Sequence, residues 1–415
     1  MLRAKRSSVV GISGLLGLSL ALTGCSAIWD SSPDWSADPV STPVRTATSP
    51  PAGSTPGYEA VLDTGLALPA ASSLADQRVV KSDQGGGTLA YPLDIAADGT
   101  ALMSIGPQDT GTELQQKRLE LWTTTGSTSV VADGKSTRQG AVAQTIAADL
   151  CGGTPVWADA HGTEVGTADW RAWSLPKGRS KPVQLGDSSR FGTEWSGPDA
   201  ITTDATTAYW ALSRTGPQRK SMIVSRPLDG SKKLTVVAKD GKLPVALPDR
   251  LLYVTDTGPA DRFQIRQVKA GKDTLVRDAT IPKGSELTAF TAGSNWLIWV
   301  VRHTPTEQEE DEGVARSTMT IWPTSWPNPM IVHLHGDGTS ALHLSENLLV
   351  WGNGSGSGDA GMYLLDLAPR TIYKLGELEG GSNATVCGTS VSWTLPGKGP
   401  TFDHAIARWT FGTPG

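Results

Sequence analysis

The chain has 415 residues, a net charge of −5 with both signs interspersed, and 47 glycines, 27 prolines and 15 tryptophans. That balance gives no sign of a nucleic-acid partner, and no basic cluster rises to a polyphosphate-binding surface. A chain this long ordinarily divides into two domains, unless each unit buries its face on a neighbour as repeat architectures do.

The first element is a leader. Arg3, Lys5 and Arg6 precede an apolar stretch from Val9 to Leu22 that is too short and too rich in Gly and Ser to span a bilayer, the pattern of a signal peptide over residues 1–24. It ends in Leu22-Thr23-Gly24-Cys25, which resembles the lipobox of bacterial lipoproteins. The resemblance covers about the first 25 residues. It implies cleavage before Cys25, diacylglycerol on its sulfur, and a protein lipid-anchored on the extracytoplasmic side of the cell membrane. The competing reading is an ordinary secreted protein in which Cys25 is incidental.

Residues 25–57 form the second element. Ser26 to Gly57 is dominated by Ser, Pro, Thr, Ala and Asp, a composition that buries too little apolar surface to offset its ordering entropy. It is expected to be a disordered tether with a root-mean-square reach of about 30 Å. Trp29 and Trp35 within it read as membrane-interface residues or as residues without a role.

From residue 58 to 415 the chain repeats. Trp157, Trp210, Tyr253, Trp299, Trp351 and Trp393 recur every 42 to 53 residues inside short apolar runs, and Met103 takes the same slot 54 residues before Trp157. Each unit alternates apolar and polar positions between Gly, Asp or Ser turns, the signature of β-propeller blades. In the third unit the strands fall at Asp199–Thr203, Ala208–Leu212, Met222–Pro227 and Leu234–Ala238. No stretch reads as a long amphipathic helix. The expected fold is all-β, a seven-bladed β-propeller of four-stranded antiparallel blades, with six or eight as the alternative counts. The last unit stops without room for a fourth strand, so an N-terminal segment, Gln77–Lys81 or else Glu59–Leu68, is expected to close the ring and remove the open edge.

Two short stretches resemble particular propellers. Leu251-Leu252-Tyr253-Val254-Thr255-Asp256 is similar to a degenerate Tyr-Trp-Thr-Asp blade motif, and Gly361-Met362-Tyr363-Leu364-Leu365-Asp366 resembles the third strand of quinoprotein-like blades. The paired Gly-His and Trp-Asp signatures of WD40 repeats and the Asp boxes of sialidases do not occur.

In such a plan the connections between second and third strands leave one face of the disc, and here they are the long, polar ones. Binding residues concentrate on loops held by a rigid frame. The candidates are therefore a basic group, Arg214, Arg219 and Lys220, and an acidic run, Glu307 to Glu312, whose central members are Glu309, Glu310 and Asp311. The acidic run lacks the spacing of a Ca²⁺ loop. His333, His335 and Asp337 share one face of a strand with His343 nearby, a set that could hold a transition metal but reads better as a solvated outer strand. No metal or other cofactor is expected. Cys151 and Cys387 occupy the same slot, six residues before Trp157 and Trp393, and read equally as a disulfide or as two buried thiols. Asp149, Asp204 and Glu346 fall near first-strand ends, where they would close turns or reach the channel rim. No Ser-His-Asp order, phosphate loop or His-Glu-x-x-His motif appears.

The reading that emerges is a non-catalytic cell-envelope lipoprotein. It would bind the membrane through Cys25 and an envelope protein or polymer through its long-loop face. A propeller hydrolase or lyase with a site at the channel mouth, and a ligand or metal sensor, are the competing readings.

Overall fold

Alternating apolar positions with turns at about ten-residue spacing fold into strands that each bury one edge only by pairing in sequence order, which builds meandering sheets. The structure, a computed structural model, describes residues 60–107, 118–133, 144–161, 169–192, 195–198, 200–214, 220–257, 261–303, 316–325, 328–334, 339–353, 360–376, 383–395 and 402–410. These residues form thirty strands in seven sheets, with three short 3₁₀ turns as the helical elements.

Each sheet is a blade. Blade 1 runs through Thr88–Ile95, Ala101–Pro107, Arg118–Trp122 and Thr128–Asp133, and blade 2 through Gln144–Asp149, Val156–His161, Asp169–Ser174 and Val183–Asp187. Blade 3 comprises Ile201–Thr203, Thr207–Ser213, Ser221–Pro227 and Thr235–Lys239, and blade 4 Gly241–Leu247, Arg250–Asp256, Arg262–Lys269 and Lys272–Thr280. Blade 5 holds Glu286–Ala292, Trp296–Arg302, Ser317–Pro323 and Met330–Leu334, and blade 6 Thr339–Ser345, Leu348–Asn353, Gly361–Asp366 and Thr371–Gly376. Blade 7 supplies Ala384–Cys387, Ser390–Leu395 and Asp403–Trp409, and its outer strand is Leu74–Val80, paired antiparallel with Asp403–Trp409. The seven first strands touch one another around the ring and line its centre. The chain is a seven-bladed β-propeller.

The recurring anchors hold the blades together. Met103, Trp157, Trp210, Tyr253, Trp299, Trp351 and Trp393 each sit on a second strand and pack into a different buried cluster, one for every interface between neighbouring blades. All seven are buried. Burying a side chain of this size stabilises each interface by roughly 2–3 kcal/mol of transfer free energy. Close fit follows: at Gly186, on the outer strand of blade 2, an added Cβ would lie 2.9 Å from the Trp210 ring and 3.0 Å from Leu234.

Because the strands alternate in direction, connections between first and second strands and between third and fourth strands lie on one face of the disc, here the turn face. Connections between second and third strands lie on the opposite, long-loop face. The N-terminal segment departs from the expected plan. Ala60–Leu62 adds a fifth, parallel strand to the rim of blade 5, and Leu68–Pro69 adds one to blade 6, before the chain becomes the outer strand of blade 7. The Glu59–Leu68 stretch is thus a rim belt, with Leu62 buried in the interface of blades 5 and 6. Its pairing register, Ala60 opposite Met330 and Leu62 opposite Val332, runs from the turn face toward the long-loop face, so the chain joins the ring at the turn face.

Candidate functional site

The densest group of buried polar side chains lies where the first strands end, at the turn-face mouth of the central channel. Asp94 ends the first strand of blade 1 and is 6% exposed; Asp149 occupies the corresponding place in blade 2 and is 9% exposed. Each reaches sideways to its neighbours. Asp94 accepts from the Leu150 N–H of blade 2 at 2.6 Å and from the Thr385 hydroxyl of blade 7 at 2.5 Å. Asp149 accepts from the Cys151 N–H at 2.9 Å and, in blade 3, from the Thr203 N–H at 2.6 Å and its hydroxyl at 3.2 Å. The stitching continues around the ring. Thr202 accepts from the Ala246 N–H at 3.2 Å, and Ser345 accepts from the Gly388 N–H at 2.7 Å.

A covalent link spans the same mouth. Cys151, just past the end of the first strand of blade 2, is disulfide-bonded to Cys387, at the end of the first strand of blade 7, with Cα atoms 5.4 Å apart. Blade 1 lies between these two blades, and the bond crosses it because first-strand ends converge on the channel. Asp94 bridges the same two blades by hydrogen bonds, so bond and carboxylate act as parallel ties.

Burial and charge set the chemistry of the group. Burial, followed by the nearby Asp94 charge, pushes the Asp149 carboxyl up to about 7, against the lowering effect of hydrogen bonds from Thr203 and Cys151. His343, half-buried on the first strand of blade 6, is pushed down by burial, with Asp94 opposing. A carboxyl that holds its proton near neutral pH has the poise of a general acid. Both Asp149 oxygens nevertheless receive donors from blade backbones or from Thr203, so the group's visible work is to join blades. Among the described residues no group of three His, Cys, Asp or Glu is placed to hold a metal ion.

The sequence candidates fall as follows. Arg214 and Lys220 close the base of the second-to-third connection of blade 3, the Arg214 N–H donating to the Lys220 carbonyl at 2.7 Å. Arg219, Glu309, Glu310 and Asp311 lie outside the described residues, as do Cys25, His335 and Asp337. His333 is exposed on the outer strand of blade 5, whereas His343 is on an inner strand of blade 6, so the fold separates these two. Asp204 caps its own turn through Thr206 and Thr207 and accepts from the Tyr209 hydroxyl at 2.9 Å; Glu346 is an exposed turn residue at positive φ.

No protein-family model matches the chain, and no curated protein is similar to it. Among solved structures it is similar to the tricorn protease, at TM-score 0.42 and 10% identity over 72% of this chain and 35% of that one. It is also similar to the β-propeller domain of the Trilobed protease from Pyrococcus furiosus, at TM-score 0.44 and 10% identity over 65% and 84% of the two chains. A Mycobacterium tuberculosis puromycin-hydrolyzing peptidase matches at TM-score 0.40 and 12% identity over 81% and 53%. The chain spans about a third of the tricorn protease.

Linear reading missed two features. Asp94 carries no motif, and its pairing with Leu150 and Thr385 exists only once the ring is closed. The basic segments at Lys177 to Lys181 and at Lys232-Lys233 each look too small to count, yet they lie in the third-to-fourth turns of blades 2 and 3, which the fold brings into contact through Arg226 and Gly230.

Proposed function

We propose that this protein is a cell-envelope lipoprotein, anchored through Cys25 on the extracytoplasmic side of the membrane, whose propeller is a non-catalytic binding module that docks a protein or polymer on its long-loop face. The leader and lipobox-like Leu22-Thr23-Gly24-Cys25 support the anchor, and acyl chains contribute about 0.8 kcal/mol per buried CH₂. The observation that carries the docking reading is the belt register. With Ala60 opposite Met330, the first belt strand enters the ring at the turn face. In this reading the turn face lies toward the membrane, and the opposite face, where the second strands end, lies toward partners. The channel mouth on the turn face is tied by the disulfide and the Asp94 and Asp149 hydrogen bonds, which favours a structural role there over a substrate site.

Photo-crosslinking in the native cell tests this. A crosslinker at Arg219 or Glu310 is expected to yield a discrete adduct, identified by mass spectrometry, that a crosslinker at Thr389 on the turn face does not. Adducts from Thr389 alone, or from none of the three, would refute docking through the long-loop face.

A further inference from the structure

The third-to-fourth turns of blades 2 and 3 are locked together. Arg226 donates to the Gln184 and Leu185 carbonyls of blade 2 at 3.2 and 2.9 Å, and to the Lys232 and Gly230 carbonyls of its own turn at 2.9 Å each. Gly230, at φ +70, approaches blade 2 so closely that an added Cβ would lie 2.7 Å from Val183. Two turns fixed in this way bring Lys177, Arg179 and Lys181 beside Lys232 and Lys233. All five are exposed, and none makes an ion pair among the described residues. The carboxylate within residues 175–182 and 228–234 is Asp229. It is held below its usual range chiefly by the Ser231 hydroxyl and N–H, and it also feels the Arg179 charge across the blade boundary.

We propose that this patch binds the anionic headgroups of the membrane, an inference that rests on the lipid-anchored reading above. Three observations converge on it. The patch is positive on a chain of net charge −5, so it is a local concentration and not an average. It lies on the turn face, where the chain leading from Cys25 joins the ring. And it lies on blades 2 and 3 while the belt begins on blade 5, so lipid and patch would hold the disc at two separated points of its rim. A tether alone leaves the disc free to tumble; a second contact turns its long-loop face outward. Each Lys or Arg near an anionic surface is worth about 1 kcal/mol, or about fivefold in partition, falling off within a Debye length.

The test uses the chain from residue 25 with Cys25→Ser, which removes the lipid and keeps every strand of the ring. Sedimentation is compared with vesicles of equal parts phosphatidylglycerol and phosphatidylcholine and with vesicles of phosphatidylcholine alone. Binding is expected to the anionic vesicles only, to be reversed by salt, and to fall about fivefold with each of Lys177→Gln, Arg179→Gln, Lys181→Gln, Lys232→Gln and Lys233→Gln. Near-ultraviolet circular dichroism checks that the variants fold. Equal binding to both vesicles, no binding to either, or binding that survives all five substitutions would overturn the proposal. So would tighter binding to duplex DNA than to anionic vesicles at the same salt, which would make the patch a nucleic-acid site. The anchored reading fails separately, if mass spectrometry of the native protein finds no acyl modification on Cys25.

Discussion

Replacing Asp149 by Asn should reveal a pH dependence that the native protein hides. Asp149 titrates at about 7 when folded, against an ordinary 3.8, so the folded state holds its proton more tightly than the unfolded chain. For an acid, that shift costs stability as pH rises from 3.8 to 7, in total about 4 kcal/mol at neutral pH. His404, 5% exposed between blades 7 and 1 and edge-on to Tyr91, is shifted the other way, down to about 4 by burial. The unfolded imidazole takes a proton near 6.5 and the folded one does not, so stability is gained as pH rises from 4 to 6.5, by about 3 kcal/mol. His343 adds in the same direction. The two slopes oppose one another, and the native protein should be nearly flat across that window. In Asp149→Asn the histidine slope is opposed chiefly by Asp366, which burial also pushes up, so unfolding free energies from urea titration should rise with pH by up to about 1.4 kcal/mol per unit. Below about pH 4, where the native carboxyl is protonated in both states, the variant is less stable by about 1–3 kcal/mol, because an amide NH₂ now faces the Thr203 or Cys151 N–H. A variant whose pH profile runs parallel to the native one would refute the assignment of a neutral-pH proton to this carboxyl.

Other perturbations test the remaining ties. His404→Phe removes the opposing slope, so urea unfolding should show stability falling as pH rises between 4 and 7. Cys151→Ser with Cys387→Ala opens a loop of 236 residues, for which loop closure allows a loss of up to about 5 kcal/mol, read by denaturant unfolding under non-reducing conditions. Gly186→Val drives methyl groups against the Trp210 ring and should lower stability by about 1–3 kcal/mol in the same assay, whereas Gly178→Ala, which meets open space at a strained φ, should cost less. Trp351→Ala empties the interface of blades 5 and 6 and should cost about 3–5 kcal/mol, measured by thermal melting.

The repeat was legible because each blade places one large side chain at the same point of its second strand, where the neighbouring blade must cover it. Trp157 and Trp210 announce themselves, and Met103 fits the slot by spacing alone. The belt was harder to read. Ala60–Leu62 and Leu68–Pro69 are held by backbone pairing over two or three residues, too short to imprint an alternation. The tie between Cys151 and Cys387 follows from convergence of first strands on the channel, a distance that linear counting of blades does not contain. Asp94 and Asp149 look like ordinary turn residues until the next blade supplies Leu150 and Thr203 as donors. Of the candidate binding residues, Arg214 and Lys220 are placed at the base of a loop, while Arg219, Glu309, Glu310 and Asp311 lie beyond the described residues.

The orientation of the disc is the claim on which docking and the lipid patch both depend. Fluorophores placed at Ser180→Cys on the turn face and at Lys220→Cys on the long-loop face, with the lipidated chain in vesicles carrying headgroup quenchers, measure it directly. Strong quenching at position 180 with little at 220 is the predicted result. Equal quenching at both, or stronger quenching at 220, would contradict a disc held turn face down on the membrane.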